Sequence, residues 1–239
     1  MNVVAGIGWI TQREYGCVMT ALRRSYSDMK SLRSKLQDES ILLYPAKSFG
    51  KYDRVSKMTC CAAALAFYDA GMSYSEDRKQ DIGILGSNSD GCLQSNVVFF
   101  RDFVENGRTL GRANLFVYTL PSIPMAEAAI YYRCQGPLLY MTFPGRPIAS
   151  LLRHSDKMIR RGESAAMLAV KASEDDAQCF FLRREGHVSG GSAMALEEVA
   201  EVSEREATGA QMIESLTKRQ HAENEYSLRR EDPSARTRP

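Results

Sequence analysis

Phe116-Val117-Tyr118-Thr119-Leu120-Pro121-Ser122, then Gly136-Pro137-Leu138-Leu139-Tyr140-Met141-Thr142, then Phe143-Pro144-Gly145-Arg146-Pro147: the fold turns on these three stretches. Met125 to Cys134, placed just after Pro121 and Pro124, reads as a helix, because proline suits a helix's first turn but not its interior. Leu138 to Thr142 reads as a strand. Ile148 to Arg161 follows as a second helix, stopped by Gly162. Ala165 to Ala172 is nearly all apolar, as expected of a strand covered on both faces. Gln178 to Leu182 comes after an acidic turn and pairs as its neighbour.

Upstream, Asn2 to Ile7 is a short apolar run closed by glycine, a buried strand, and the stretch to Asp38 reads as helical in part. Ser48 to Asp53 is a polar loop. Val55, Met58, Ala62, Leu65 and Ala66 recur at helical spacing up to Asp69, and Gly71 stops the run. Asp81 to Leu85 is a strand leading into the turn-rich residues 86–91, and Gln94 to Val104 a helix with Val97, Phe100 and Val104 on one side. Helices alternating with buried strands predict an α/β fold, a mixed sheet flanked by helices. From about Ala193 the character changes. Residues 196 to 239 hold ten acidic and seven basic side chains, and Glu201/Arg205, Glu214/Lys218 and Glu225/Arg229 have the spacing of an exposed helix. Val199, Val202, Ile213 and Leu216 give it a thin apolar stripe. The expected organisation is a domain over 1–192, a charged helical extension over 193–230 and a disordered tail over 231–239.

Composition narrows the function. The 239 residues carry 31 basic and 29 acidic side chains, a near balance that argues against a nucleic-acid binder. No apolar run reaches the roughly 20 residues of a membrane-spanning helix, and no basic flank precedes an N-terminal apolar stretch, so a cytoplasmic protein is expected. Cys17, Cys60, Cys61, Cys92, Cys134 and Cys179 form no Cys-x-x-Cys pair, and His154, His187 and His221 lie far apart, so neither a metal nor any other cofactor is expected.

Four segments together resemble the β-ketoacyl synthases, the thiolase-fold condensing enzymes of fatty-acid and polyketide assembly. They are Gly6-Ile7-Gly8-Trp9-Ile10-Thr11; Ile84-Leu85-Gly86-Ser87-Asn88-Ser89-Asp90-Gly91; the run from Phe116 through Leu120-Pro121-Ser122 to Gly136-Pro137; and Met158-Ile159-Arg160-Arg161-Gly162-Glu163 with the apolar run to Val170. The resemblance implies the N-terminal half of a thiolase-like fold. It also implies a dimer in which the strand Leu138, Leu139, Tyr140, Met141, Thr142 adds to its mate across the axis.

The departures matter as much. Condensing enzymes carry a cysteine on a sharp turn before a helix, where backbone amides lower its pKa. Counted from Gly136-Pro137, that position falls on Gly145, in the turn Phe143, Pro144, Gly145, Arg146; glycine forms no acyl thioester, and no catalytic residue is assigned. The catalytic members' second half, with its two histidines, has no room in 239 residues, and Gly186-His187-Val188-Ser189-Gly190-Gly191-Ser192-Ala193 is read as a Gly-rich turn despite echoing the family's second histidine motif. Ser150 lacks a Gly-x-Ser-x-Gly elbow. Cys60 and Cys61 read as core residues, and a Cys92/His154 dyad is the remaining nucleophilic candidate.

The resemblance therefore points to a non-catalytic, chain-length-factor-like partner of a β-ketoacyl synthase, closest to those of bacterial aryl-polyene assembly. The heterodimer would elongate chains on an acyl carrier protein, with Phe116, Tyr118, Thr119 and Leu120 as gate residues at the interface and Arg146 an interfacial donor. The alternatives are a homodimeric scaffold that holds an acyl carrier protein through Lys51, Arg54 and Lys57 without gating, and a residual thioesterase using Cys92.

Overall fold

The computed structural model describes residues 1–45, 48–88, 90–187 and 192–231, with backbone alone at 187 and 223–231. Strands β1 (Asn2–Ile10), β2 (Glu14–Cys17) and β3 (Arg23–Ser25) form an antiparallel meander, followed by helices α1 (Met29–Asp38) and α2 (Arg54–Asp69). Then come β4 (Ile82–Ser87), α3 (Leu93–Glu105), α4 (Ala113–Phe116), α5 (Ile123–Tyr132), β5 (Leu138–Tyr140), α6 (Pro147–Arg160), β6 (Ala166–Ala172), β7 (Ala177–Arg184), β8 (Met194–Ala195), α7 (Leu196–Arg205) and α8 (Gly209–Glu231). The sheet runs β3-β2-β1-β7-β6-β4-β5, with β8 on β1. β4 is parallel to both β5 and β6; the other pairs are antiparallel, so the sheet is mixed, as expected.

Strand alternation divides the core in two. Leu168 and Val170 of β6 face α2 and α5, joining Leu65 and Phe67 of α2 and Tyr132 of α5. Met167 and Ala169 face the other way, toward Leu151, Leu152 and Ile159 of α6. The strand opening the chain does not stop at a glycine but continues to Ile10. Gly6 and Gly8 are there for close approach, since a Cβ on either would lie 2.2 Å or 2.4 Å from the carbonyl oxygens of Ala66 and Ala62. The alanine-rich middle of α2 therefore lies directly on β1. Asp69, at the end of α2, fastens it there: its carboxylate accepts from the amides of Ile7 (2.8 Å), Met19 (3.0 Å) and Thr20 (2.8 Å) and from the Thr20 hydroxyl (2.9 Å). Burial pushes this carboxyl's pKa up, against those four donors.

Other boundaries differ from the sequence reading. The stretch before Asp38 holds β2 and β3 as well as α1, and a 3-10 turn, Phe49–Lys51, sits in the expected 48–53 loop. The helix after Pro121 begins at Ile123, taking Pro124 into its first turn. The strand expected to reach Thr142 ends at Tyr140, although the Met141 amide still donates to the Gly86 carbonyl at 2.9 Å.

The charged extension departs furthest from an exposed helix. It is two helices, broken over 206–208, and Val199, Val202, Ile213 and Leu216 are all buried, with Ala200 and Met212, in the α6 cluster. The Glu214–Lys218 pair does form, at 2.7 Å on the outer face. Gly186 and His187 lie in a 3-10 turn, Glu185–His187; residues 188–191 of that Gly-rich fragment, and 232–239 of the tail expected to be disordered, lie outside the described residues.

Candidate functional site

β5 is the last strand of the sheet, hydrogen-bonded only to β4 among the described residues. Around it the chain leaves apolar side chains bare. Leu93, Val97, Val98, Phe100 and Val104 of α3, Phe116 of α4, Val117 and Leu120 of the 3-10 turn Val117–Thr119, Ile130 of α5 and Leu139 of β5 are all exposed, Phe100 and Ile130 by about two thirds. With Leu110, all of these fall in one stretch of chain, 93–139, whereas elsewhere among the described residues exposed large apolar side chains are few and scattered. Exposed apolar side chains concentrated in this way are what an interaction surface requires.

The four expected gate residues lie together here. Phe116 ends α4 and meets Phe99 edge-on, ring centroids 5.6 Å apart. Tyr118 donates to Glu127 Oε1 at 3.4 Å, and burial, with the Glu127 charge, pushes its pKa up to about 12. The Thr119 hydroxyl donates to the Phe116 carbonyl at 2.7 Å, and Leu120 closes the turn with its side chain 45% exposed. An Arg112–Asp102 ion pair ties the loop before α4 to α3. Tyr140, at the end of β5, donates to Asn88 Oδ1 at 2.8 Å, linking the edge strand to the loop after β4.

The turn leading from β5 into α6 holds Gly145, the position that the resemblance aligned with the condensing enzymes' cysteine. Gly145 has φ +72°, a left-handed conformation that strains other residues, yet nothing lies within 4 Å of the position of a Cβ. The site has room for a side chain and lacks one. Arg146 stands at the N-cap of α6 and Pro147 in its first turn. A cavity of about 320 Å³ opens beside this turn, lined by Ser87, Phe143, Gly145, Arg146 and Lys171 and, across from them, by Glu206, Thr208, Gly209 and Met212 at the α7–α8 junction. The junction was not part of the sequence-read site. Its signal was present in Thr208-Gly209-Ala210-Gln211, a capping box: the Gln211 amide donates to the Thr208 hydroxyl (3.2 Å), and Gln211 Oε1 accepts from the Thr208 amide (3.1 Å).

Cys92 and His154 are not brought together. Cys92 opens α3 in a separate cavity of about 460 Å³, lined also by Asp53, Asp90, Glu174 and Asp175 and by no histidine. Burial and the Asp53 charge push its thiol up to about 11, so it is no ready nucleophile. His154 is on α6, Nδ1 2.8 Å from the Ser150 carbonyl and its ring against Phe143. Cys60 and Cys61 are buried, their thiols raised by burial. The basic cluster is partly cancelled: Arg54 donates to the Glu174 carbonyl at 2.5 Å and faces its carboxylate at 3.9 Å. Among the described residues no group of three or more His, Cys, Asp or Glu is arranged to hold a metal ion, and no helix is long and apolar enough to cross a membrane.

Comparison with known proteins places the fold. No protein-family model matches the sequence, and no curated protein does. Solved structures do. The ishigamide ketosynthase/chain length factor superposes with TM-score 0.58 at 12% identity, over 80% of this chain and 64% of its own. A type II polyketide synthase acyl carrier protein in complex with its ketosynthase bound to the hexaketide gives 0.55 at 12%, over 80% and 60%. A β-ketoacyl synthase from Burkholderia phymatum STM815 gives 0.52 at 14%, over 80% and 61%. The chain spans about three fifths of the length of these structures. At such identities the likeness shows the fold alone: a ketosynthase-like thiolase fold.

Proposed function

We propose that this ketosynthase-like chain is a non-catalytic, chain-length-factor-like partner of a β-ketoacyl synthase, and that the heterodimer elongates polyketide, aryl-polyene or fatty acyl chains on an acyl carrier protein. The observation that carries the reading is that β5 pairs only with β4 among the described residues, while α3, α4, the 3-10 turn Val117–Thr119 and α5, the segments between β4 and β5 in the chain, leave apolar side chains exposed. An open edge and an apolar surface are a liability in a lone chain and an interface in a paired one. Glycine at position 145 supports the non-catalytic half of the proposal, since it offers no nucleophile. The fold likeness to a structure described as a ketosynthase/chain length factor supports the choice of partner.

On this reading Leu138, Leu139 and Tyr140 pair with the partner's edge, and Phe116, Tyr118, Thr119 and Leu120 reach toward its acyl tunnel. Purification of the tagged chain from its host tests this. A one-to-one complex with a cysteine-bearing synthase is expected, and Leu120→Trp in that complex should shorten the acyl products. A chain that purifies as a monomer or homodimer, with no synthase, sinks the proposal; unchanged product lengths sink the gate.

A further inference from the structure

Of the two helices that close over the α6 layer, α8 is the less firmly seated. α7 buries Leu196, Val199, Ala200, Val202 and Ser203, half of its ten residues. α8 is 23 residues long, yet from 209 to 222 only Met212, Ile213, Leu216 and Gln220 are buried. Cavities also border it on two faces. The cavity of about 320 Å³ beside Gly145 meets it at Gly209 and Met212. A second, of about 420 Å³, lies between Ile213 and Thr217 of α8 and Trp9, Cys17 and Gln178 of the sheet. Gly209 lines both.

Hydrogen bonding is incomplete beside the start of this helix. Trp9 of β1 and Gln178 of β7 are direct cross-strand partners, so their side chains share one face of the sheet. Both are buried, and neither the Trp9 Nε1 nor the Gln178 Oε1 has a hydrogen-bond partner among the described residues. Buried polar atoms left unpaired disfavour the closed arrangement and gain water when their cover lifts. Gly209 stands against the same Gln178: a Cβ there would lie 2.8 Å from Gln178 Nε2. Toward its far end α8 is fastened by polar contacts. Arg219 bonds Glu198 of α7 at 2.7 Å, and Gln220 Nε2 donates to Ser192 Oγ at 3.2 Å. The joint between the helices is extended at Glu206 (φ −77°, ψ 137°), and Ala207 and Thr208 are exposed.

We propose that α8 is a hinged strap. Closed in the ground state, it swings off the sheet about residues 206–208 while α7 and the sheet stay folded, and its departure joins the two cavities into one groove that bares Trp9 and Gln178. The strap stands whether or not the chain pairs with a synthase. The test is hydrogen exchange of the full chain, followed by NMR in graded urea below the unfolding transition. Once off the sheet, a helix of this length is marginal in water, so its amides exchange. Ile213, Leu216 and Gln220 should exchange at least about tenfold faster than Leu168 and Val170 of β6, with a weaker urea dependence, and Val199 and Val202 of α7 should follow β6. Arg219→Ala should speed α8 about threefold and leave β6 unchanged. Trp9 is the chain's one tryptophan, so its fluorescence reports the bared groove. Gly209→Val, which presses on Gln178, should make that fluorescence at least about twofold more sensitive to acrylamide with the fold retained. Exchange of α8 and β6 at one rate with one urea dependence overturns the strap, whether or not the valine variant folds. So does α7 opening together with α8, or a folded Gly209→Val whose Trp9 is no more quenchable than the parent's.

Discussion

Two apolar surfaces of this molecule are treated in opposite ways. On one side α6 presents Leu151, Leu152 and Ile159, and the chain's own α7 and α8 lie over the layer with Val199, Val202, Ile213 and Leu216. On the other side α3 presents Leu93, Val97, Phe100 and Val104, β5 presents Leu139, and no described residue covers them. Similar side chains serve as core in the first place and as open surface in the second. What separates them is whether the polypeptide returns. The tail that looked like a solvated appendage is what turns α6 into an interior helix. The β5 side, over which no described residue folds back, keeps its apolar side chains exposed.

The sharpest way to break this comparison is a charge in the covered face. Leu216 is fully buried, so Leu216→Asp should cost about 3–5 kcal/mol of stability, enough to unfold a marginal domain. Urea denaturation followed by circular dichroism measures it, and a loss under about 1 kcal/mol would mean that the tail does not seat as described. A smaller cost is expected at the junction of the two regions. Gly145→Cys has space but the wrong backbone, so about 1 kcal/mol should be lost. The new thiol, at the start of α6, should react readily with iodoacetamide. It should not bring condensation, because no histidine lines the cavity; acyl elongation by that variant alone would show that the absent nucleophile is the chain's one catalytic deficit.

On the bare side the expected change in stability is smaller again. Phe100→Ser and Leu139→Asp should each leave the unfolding free energy within about 0.5 kcal/mol, since both side chains already face solvent. Binding of the partner, measured by sedimentation, should fall sharply. If instead either variant unfolds, the surface is covered in the free chain and the contrast between the two sides collapses.

How much of this was legible in sequence follows from the same contrast. Residues 166–172 read as a buried strand because every apolar position there is used, and α2 read as a helix because its apolar spacing is regular. The β5-to-α6 turn was placed by the family resemblance, counted forward from Gly136-Pro137. β3 was missed because Arg23–Ser25 is an exposed edge of charged and polar residues, with no alternation to see, and β2 because Glu14–Cys17 is only four residues long. Gly6 and Gly8 looked like the end of a strand because what they accommodate, the backbone of α2, is 50 residues away or more. The tail's stripe looked thin because Ala200 and Met212 complete it only once the helices are broken at 206–208 and folded back. Tertiary return, not local pattern, decided the cavity's second wall.

A pH-dependent effect separates the two regions by acid. Burial alone would raise the Asp176 carboxyl, but hydrogen bonds from Gln178 and Ser173 and the Lys171 ammonium hold it below the ordinary 3.8. Gln178 in turn lies against Gly209, where α8 begins. A carboxyl whose folded pKa is depressed stabilises the fold above its unfolded pKa and ceases to do so as pH falls through the folded value. The Asp176 contribution should therefore be full at neutral pH and fade below about pH 3.8. Asp176→Asn should be less stable than the parent near pH 7 by a few tenths of a kcal/mol to about 1 kcal/mol, the range of a partly exposed pair. The gap should close in acid, and the amide signals of α8 rather than of α3 should report the loosening. A gap that persists unchanged at pH 3, or one felt first in α3, would place the seat of the tail somewhere other than this carboxylate.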